Sequence, residues 1–383
     1  MRIGLVVPGF SADADDWCIP ALRHLVVQLA LHNDVHVLAL RYPYRPSRYE
    51  LFGAHVTALG GGQKAKIGSA GVWQQALRLL AAEHRRRPFD VLHAFWANET
   101  GAVTVIAGRL LRVPSIVSLA GGELVGLRDI AYGGQLAHTE RIKVHLALNL
   151  ADAVTGGSHR ILALAAPWLR GRHPDRVLRL PFGVDTHLFA PGAPCGKEPL
   201  RLLNVAALTP IKDQATLLRA AAQVQERGLP FVLDIAGNGP LESALRTLAR
   251  GLGIGDVVHF LGAIGHDQLP SVYQRASIFV LSSRHEAQGM VVLEAAACGL
   301  PIVATNVGVV PELAPSAAVA VPIGDAEAMA GAIVAVLGNP ERRAAMGQAA
   351  RSLIVTRFAL EACTGQFVEL YARLSGHPAI ARQ

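Results

Sequence analysis

Cysteine is scarce in this chain, with four in 383 residues, at Cys18, Cys195, Cys298 and Cys363. They lie far apart and form no CxxC pair. A disulfide framework and a clustered zinc site are therefore both excluded, and a reducing cytosol suits them. Aromatic residues make up only 5 %. The basic residues are scattered with few aromatics among them, which argues against nucleic acid as a partner. No uninterrupted apolar run reaches the roughly 18 residues that a membrane-spanning helix needs. The opening MRIGLVVPGF reads as a first strand, and its apolar run is too short for a signal peptide. These absences point to a soluble, cytoplasmic protein, at most peripheral at the inner face of a membrane.

Half of the residues are hydrophobic (51 %), and glycine is plentiful at 38. That suits an α/β protein with tight helix–sheet packing, and the length exceeds one typical core, so two domains are expected. The charge is uneven. Residues 1–190 hold 21 Lys and Arg against 14 Asp and Glu, an excess of 7 that equals the whole net charge, while the remainder balances at 15 and 15. A basic first half could meet anionic lipid headgroups or a phosphorylated acceptor; it could equally be a solubilising surface.

The stretch Ile278–Thr305, IFVLSSRHEAQGMVVLEAAACGLPIVAT, organises the reading. A short apolar strand is followed by a polar loop with Glu286. Gly289 allows a close backbone approach, and the apolar helix start Met290–Cys298 carries one acid, Glu294. Gly299 and Pro301 end the helix before the next strand. A carboxylate in apolar surroundings is costly unless used or paired. The helix start offers unpaired N–H groups at Gly289, Met290 and Val291 and the positive end of a dipole, which suit a phosphate. Open α/β sheets bind ligands at the carboxyl ends of strands. Two acids beside a phosphate seat suggest a nucleotide sugar; two acids favoured by a helix dipole are the plainer reading. Lys212, in a polar loop after the strand Leu202–Ala206, faces the same end of a sheet and suits a diphosphate.

Other positions stay open between chemistry and structure. Asp13-Ala14-Asp15 spells DxD, but acids before a helix start are ordinary, and no metal is assigned to them. Arg45 lies in the Pro-broken loop LRYPYRPSRYELF among tyrosines, as an acceptor contact or a solvated loop residue. His93 is near the end of the strand Asp90–Phe95, as a site residue or a core histidine. Glu123 follows Gly121-Gly122 at another strand end, where it could bind an acceptor hydroxyl or cap the next segment. Gly237-Asn238-Gly239 lacks the third glycine of a dinucleotide fingerprint, since Glu242 stands there, which disfavours a nicotinamide dehydrogenase.

Glu286, seven residues, Glu294, then AAACGLPIVAT resembles the E-x7-E motif of retaining GT-B glycosyltransferases of family 4. LRLPFGVDTHLFAP, LLNVAALTPIKDQATLLRAAAQV, DIAGNGPLESALRTLA and VVHFLGAIGHDQLPSVYQRASIFVLSS continue the resemblance in order. It covers nearly all of the second half and is looser in the first. It implies two Rossmann-like doubly wound parallel-sheet domains facing a cleft. Residues 1–182 would bind acceptor and 200–356 a nucleoside diphosphate sugar, joined by a linker at 183–199, with the helix of 357–383 returning to the first domain. It implies retaining, metal-independent transfer of a hexosyl group to a glycan, lipid-linked or small-molecule acceptor, with no cofactor beyond the sugar nucleotide. Catalytic candidates are Glu286, Lys212 and His93. Glu294 would take the ribose hydroxyls and Glu286 those of the sugar, while Lys212 and the amides of Gly289, Met290 and Val291 would carry the diphosphate. Gly262 would seat the base, and Gly9 would come close to the donor phosphates. Two departures stand out: Ala207 replaces an arginine that usually precedes the lysine by five positions, and Ala120 replaces a frequent histidine. A non-catalytic sugar-nucleotide-binding subunit and a GT-B epimerase or phosphorylase are the alternatives.

Overall fold

A computed structural model describes residues 1–62, 69–169, 171, 174–192 and 199–377. Cys195 and residues 193–198 of the expected linker lie outside them. The chain divides into two compact units, Met1–Gly183 with Leu360–Gln383, and Val184–Ala359.

The first unit is built on eight strands: β1 (Arg2–Gly9), β2 (Asp34–Tyr42), β3 (Ser47–Leu51), β4 (Ala54–Ala58), β5 (Val91–Phe95), β6 (Ser115–Leu119), β7 (Ala153–Gly156) and β8 (Val177–Arg179). Their order is β3-β4-β2-β1-β5-β6-β7-β8, parallel except for β3. β5 and β6 are buried throughout, as continuous apolar strands between helix layers are. The helix Leu360–Ser375 packs on the helix Pro20–Ala30 and adds Phe367, Leu370 and Tyr371 to this unit's core.

The sequence reading treats 41–52 as an irregular loop. The structure instead turns its second half into strand β3, antiparallel to β4 across the turn Phe52-Gly53. Both turn residues have positive φ, 54° and 76°, the backbone that suits a two-residue hairpin. The prolines obscured this strand, but Pro43 and Pro46 both precede it. Ser158 caps the helix His159–Ala165, its Oγ accepting from Ile161 N at 3.2 Å. That helix ends at Ala165, where Pro167 enters a tighter turn.

The second unit has six strands, β9 (Leu200–Val205), β10 (Phe231–Ala236), β11 (Val258–Gly262), β12 (Ile278–Leu281), β13 (Ile302–Thr305) and β14 (Ala318–Val321), ordered β11-β10-β9-β12-β13-β14. All these pairings are parallel. Alternation in β12 sends Phe279 and Leu281 into one core and Ile278 and Val280 into the other. Each such fully buried side chain contributes roughly 1.5–3 kcal/mol. The strand order reverses between β9 and β12, and such a switch point leaves an opening at the carboxyl ends of the two strands. Among the described residues no helix is long and apolar enough to cross a membrane.

Candidate functional site

The loops after β9 and β12 meet at this switch point. Lys212 ends a short 3-10 turn, Pro210–Lys212, after β9. The segment after β12 is tied to that turn by Arg284 N donating to Ile211 O (2.8 Å) and Ser282 Oγ donating to Lys212 O (2.9 Å). On its other side Thr305 Oγ1 donates to Ser283 O at 2.6 Å, and Val309 N to Gln288 O at 2.8 Å. A loop held from both sides fixes what its side chains meet. Lys212 Nζ donates to Glu286 Oε1, and Ser283 Oγ donates to the same oxygen at 2.7 Å. The Lys212 side chain is 23 % exposed and that of Glu286 13 %.

Gly289 then turns the chain with φ 92°, a left-handed conformation that penalises any side chain. It caps the helix Met290–Ala297. The amides of Met290 and Val291 open that helix, ahead of any intrahelical acceptor. Glu294 lies one turn in and is 5 % exposed. Its Oε2 accepts from Tyr273 OH at 2.9 Å, and its Oε1 is 3.2 Å from His266 Nε2. Phe189 packs edge-on to both partners, with ring centroids 5.2 Å from His266 and 5.9 Å from Tyr273. Burial, then the neighbouring Glu294 charge, pushes the Tyr273 phenol well above its ordinary pKa, so it remains a donor.

Sequence reasoning missed Tyr273 and His266. Tyr273 sits among apolar residues in the helix Leu269–Tyr273, where its hydroxyl needs a partner, and that need was the available signal. His266 lies in a polar loop and offered none.

The other positions that the resemblance assigns to the donor are placed as follows. Gly262 has φ 72° and open space where a Cβ would stand, and its carbonyl accepts from Gly237 N at 2.7 Å. The Gly237-Asn238-Gly239 turn is pressed onto the strand-end backbone of 206–208. A Cβ on Gly237 would lie 2.0 Å from Ala206 O, and one on Gly239 2.5 Å from Leu208 O. These glycines allow that close packing of the chain. Ala207 is exposed, and its carbonyl accepts from Gln214 Nε2 at 3.0 Å.

In the first unit, the sequence reading set His93 among the catalytic candidates. The structure encloses it completely. Its Nδ1 is 2.7 Å from Tyr371 OH and its Nε2 2.7 Å from Ser118 Oγ. Burial pushes its pKa down to about 3, so the ring is neutral and both nitrogens are engaged. Glu123 is also buried. Its Oε1 accepts from Ala120 N at 3.0 Å, closing the Gly121-Gly122 turn, and burial raises its pKa against the pull of the backbone amides. Gly9 ends β1, where a Cβ would sit 3.1 Å from Tyr42 Cβ; its close approach is to the neighbouring strand. Arg45 is exposed in the loop before β3. Asp13 Oδ1 accepts from the amides of Asp15 and Asp16, both at 3.0 Å, which braces the turn.

Residues 193–353 match the family model described as glycosyl transferases group 1. Among similar curated proteins, the D-inositol 3-phosphate glycosyltransferase of Actinosynnema mirum is 34 % identical over 260 residues, 61 % of this chain and 60 % of that one. The GDP-mannose-dependent alpha-(1-6)-phosphatidylinositol monomannoside mannosyltransferase of Mycolicibacterium smegmatis is 34 % identical over 191 residues, 45 % of this chain and 50 % of that one. The chain thus spans about half to three-fifths of the length of these relatives. Among solved structures, sucrose-phosphate synthase of Thermosynechococcus elongatus superposes with TM-score 0.79 at 22 % identity, over 98 % of this chain and 99 % of that one. Anabaena HepE, solved in complex with UDP, gives 0.73 at 18 % identity, over 98 % and 100 %. These likenesses show the fold, which is GT-B. The matched segment contains Lys212, Glu286, Gly289 and Glu294.

Proposed function

We propose that this chain is a retaining glycosyltransferase that moves a hexosyl group from a nucleoside diphosphate sugar to an acceptor hydroxyl. The observation that carries the reading is the convergence, at the switch point of the second sheet, of Lys212, Glu286 and a glycine-started helix holding the buried carboxylate Glu294. Glu294, oriented by Tyr273 and His266, takes the ribose hydroxyls. Glu286 takes hydroxyls of the transferred sugar. Lys212 and the amides of Met290 and Val291 take the diphosphate and stabilise the charge that grows on it as the glycosidic bond breaks. These groups supply the positive field without a metal ion. No side chain is assigned as general base: in front-side attack the leaving phosphate takes the acceptor proton, which leaves the donor's anomeric configuration unchanged. Gly262 offers backbone atoms to the base.

The acceptor is a glycan, lipid-linked or small polyhydroxylated molecule, and Glu123 and Arg45 are the acceptor-side residues of the first unit. His93 acts as a neutral strut between the first sheet and the last helix. Relatives named for inositol phosphate and phosphatidylinositol acceptors support this class. The basic first half would draw the chain to an anionic membrane surface at the inner face. One observation favours a second reading, a sugar-nucleotide-binding subunit without turnover: exposed Ala207 brings no cation to the diphosphate.

The test is a thermal-shift panel of UDP, GDP, ADP and dTDP sugars with and without EDTA, run on wild type and Glu294→Ala. The proposal expects stabilisation by one nucleotide series, unaffected by EDTA and lost in the variant. No shift with any donor overturns it. Binding without release of nucleoside diphosphate in the presence of acceptor extracts favours the second reading.

A further inference from the structure

Lys212 and Glu286 have separate tasks in the proposed reaction, one on the diphosphate and one on the sugar. In the unliganded chain they are joined to each other. Glu286 Oε1 also accepts from Ser283 Oγ, whose carbonyl is in turn held by Thr305 Oγ1. The carboxylate is therefore fixed against the ammonium by a loop that is anchored on both sides.

We infer that this ion pair is a built-in competitor for the diphosphate, so that the site discriminates against nucleoside diphosphates that carry no sugar. The inference rests on the donor-site reading above. A diphosphate arriving at Lys212 must take the ammonium away from Glu286. Removing one partner of a partly buried pair leaves the other charge poorly compensated, which is the costly way to break it. A donor that bears a sugar offsets this cost, because its hydroxyls donate to the carboxylate that Lys212 has released. A nucleoside diphosphate without the sugar offers Glu286 nothing. After transfer, Glu286 recovers Lys212 and hastens departure of the spent nucleotide. Ser283 is a positioning residue in this scheme, since it acts through Glu286.

The experiment is calorimetric titration of UDP, GDP, ADP and dTDP, and of the matching donor sugars, into wild type, Glu286→Gln, Lys212→Met and the double variant, with melting temperatures to confirm folding. Glu286→Gln keeps the shape and the Ser283 contact but removes the charge. The expected result is that Glu286→Gln binds the sugar-free diphosphate about three- to tenfold more tightly than wild type, the scale of a partly exposed ion pair. Donor-sugar affinity does not rise with it, and in the Lys212→Met background the Glu286 substitution changes nothing. Ser283→Ala, which loosens the carboxylate without altering charge, shifts diphosphate affinity in the same direction by less. If wild type binds diphosphate and Lys212→Met does not, yet Glu286→Gln binds no more tightly than wild type, the inference fails and the donor site stands. If Lys212→Met binds like wild type, or wild type binds none of the four nucleotides with or without sugar, the donor site itself is wrong and the inference falls with it.

Discussion

Tyr273→Phe removes one hydroxyl and nothing else. In the structure that hydroxyl donates to Glu294 Oε2 at 2.9 Å, and both residues are buried. A hydrogen bond to a charged group contributes about 1.5–3 kcal/mol, and a carboxylate oxygen that loses a buried donor cannot replace it with bulk water. The variant should therefore lose about 1.5–3 kcal/mol of stability in the second unit. For a domain of this size that corresponds to a melting point lower by roughly 3–12 °C. The nucleotide pays a second consequence: Glu294 is no longer oriented by the phenol, so binding must order it, and affinity should fall up to about tenfold. The assays are thermal denaturation and titration with the nucleotide that stabilises wild type. Equal stability and equal affinity in Tyr273→Phe would refute the claim that the phenol holds Glu294 for the ribose. A loss of stability with unchanged affinity would reduce the bond to a packing role.

Other consequences can be measured independently. His93 has a folded-state pKa of about 3 against an ordinary 6.5, so the unfolded chain binds the extra proton between those values. Stability is thus intact above pH 6.5 and falls as the pH drops toward 3, with a slope of up to about 1.4 kcal/mol per pH unit from this group; His93→Gln, which can keep two hydrogen bonds, should flatten that part of a chemical-denaturation profile. Gly289→Ala should cost about 1–2 kcal/mol, because φ is 92° but a Cβ has room at 3.7 Å. Gly308→Ala should cost more, since its Cβ would come within 2.2 Å of Gln288 O, and urea midpoints of the two variants give the ranking. Burial pushes the Cys298 and Cys363 thiols up to about 12, so both should resist thiol reagents until the chain unfolds, whereas labelling at native rates would contradict their packing.

The segment proposed to hold the donor was the most legible part of the sequence because its elements are local. One strand, one loop and one helix start carry Glu286, Gly289 and Glu294 within Ile278–Thr305, and the apolar run of β12 could be read directly from residue types, whereas Gly289, read as a close backbone approach, instead takes a left-handed turn with room for a Cβ. The partners of those residues were not local. Tyr273 reaches Glu294 from 21 positions away, and Lys212 reaches Glu286 from 74. Periodicity places an element but does not say which side chains two elements bring together. The hairpin of β3 and β4 was hidden for another reason. Its turn, Phe52-Gly53, lacks the usual asparagine or aspartate, and the prolines ahead of it masked a five-residue alternating strand. His93 shows the limit on the first half: a histidine within a buried strand looks the same in sequence whether it faces an opening or, as here, Tyr371 from a helix 278 positions later.

The most direct measurement is a crystal structure of the chain with the nucleoside diphosphate sugar that stabilises it best. The account predicts the diphosphate on Lys212 and the amides of Met290 and Val291, the ribose on Glu294, the sugar on Glu286, and the Lys212–Glu286 pair opened. A nucleotide bound elsewhere, or a ribose turned away from Glu294 with the pair still closed, would contradict it.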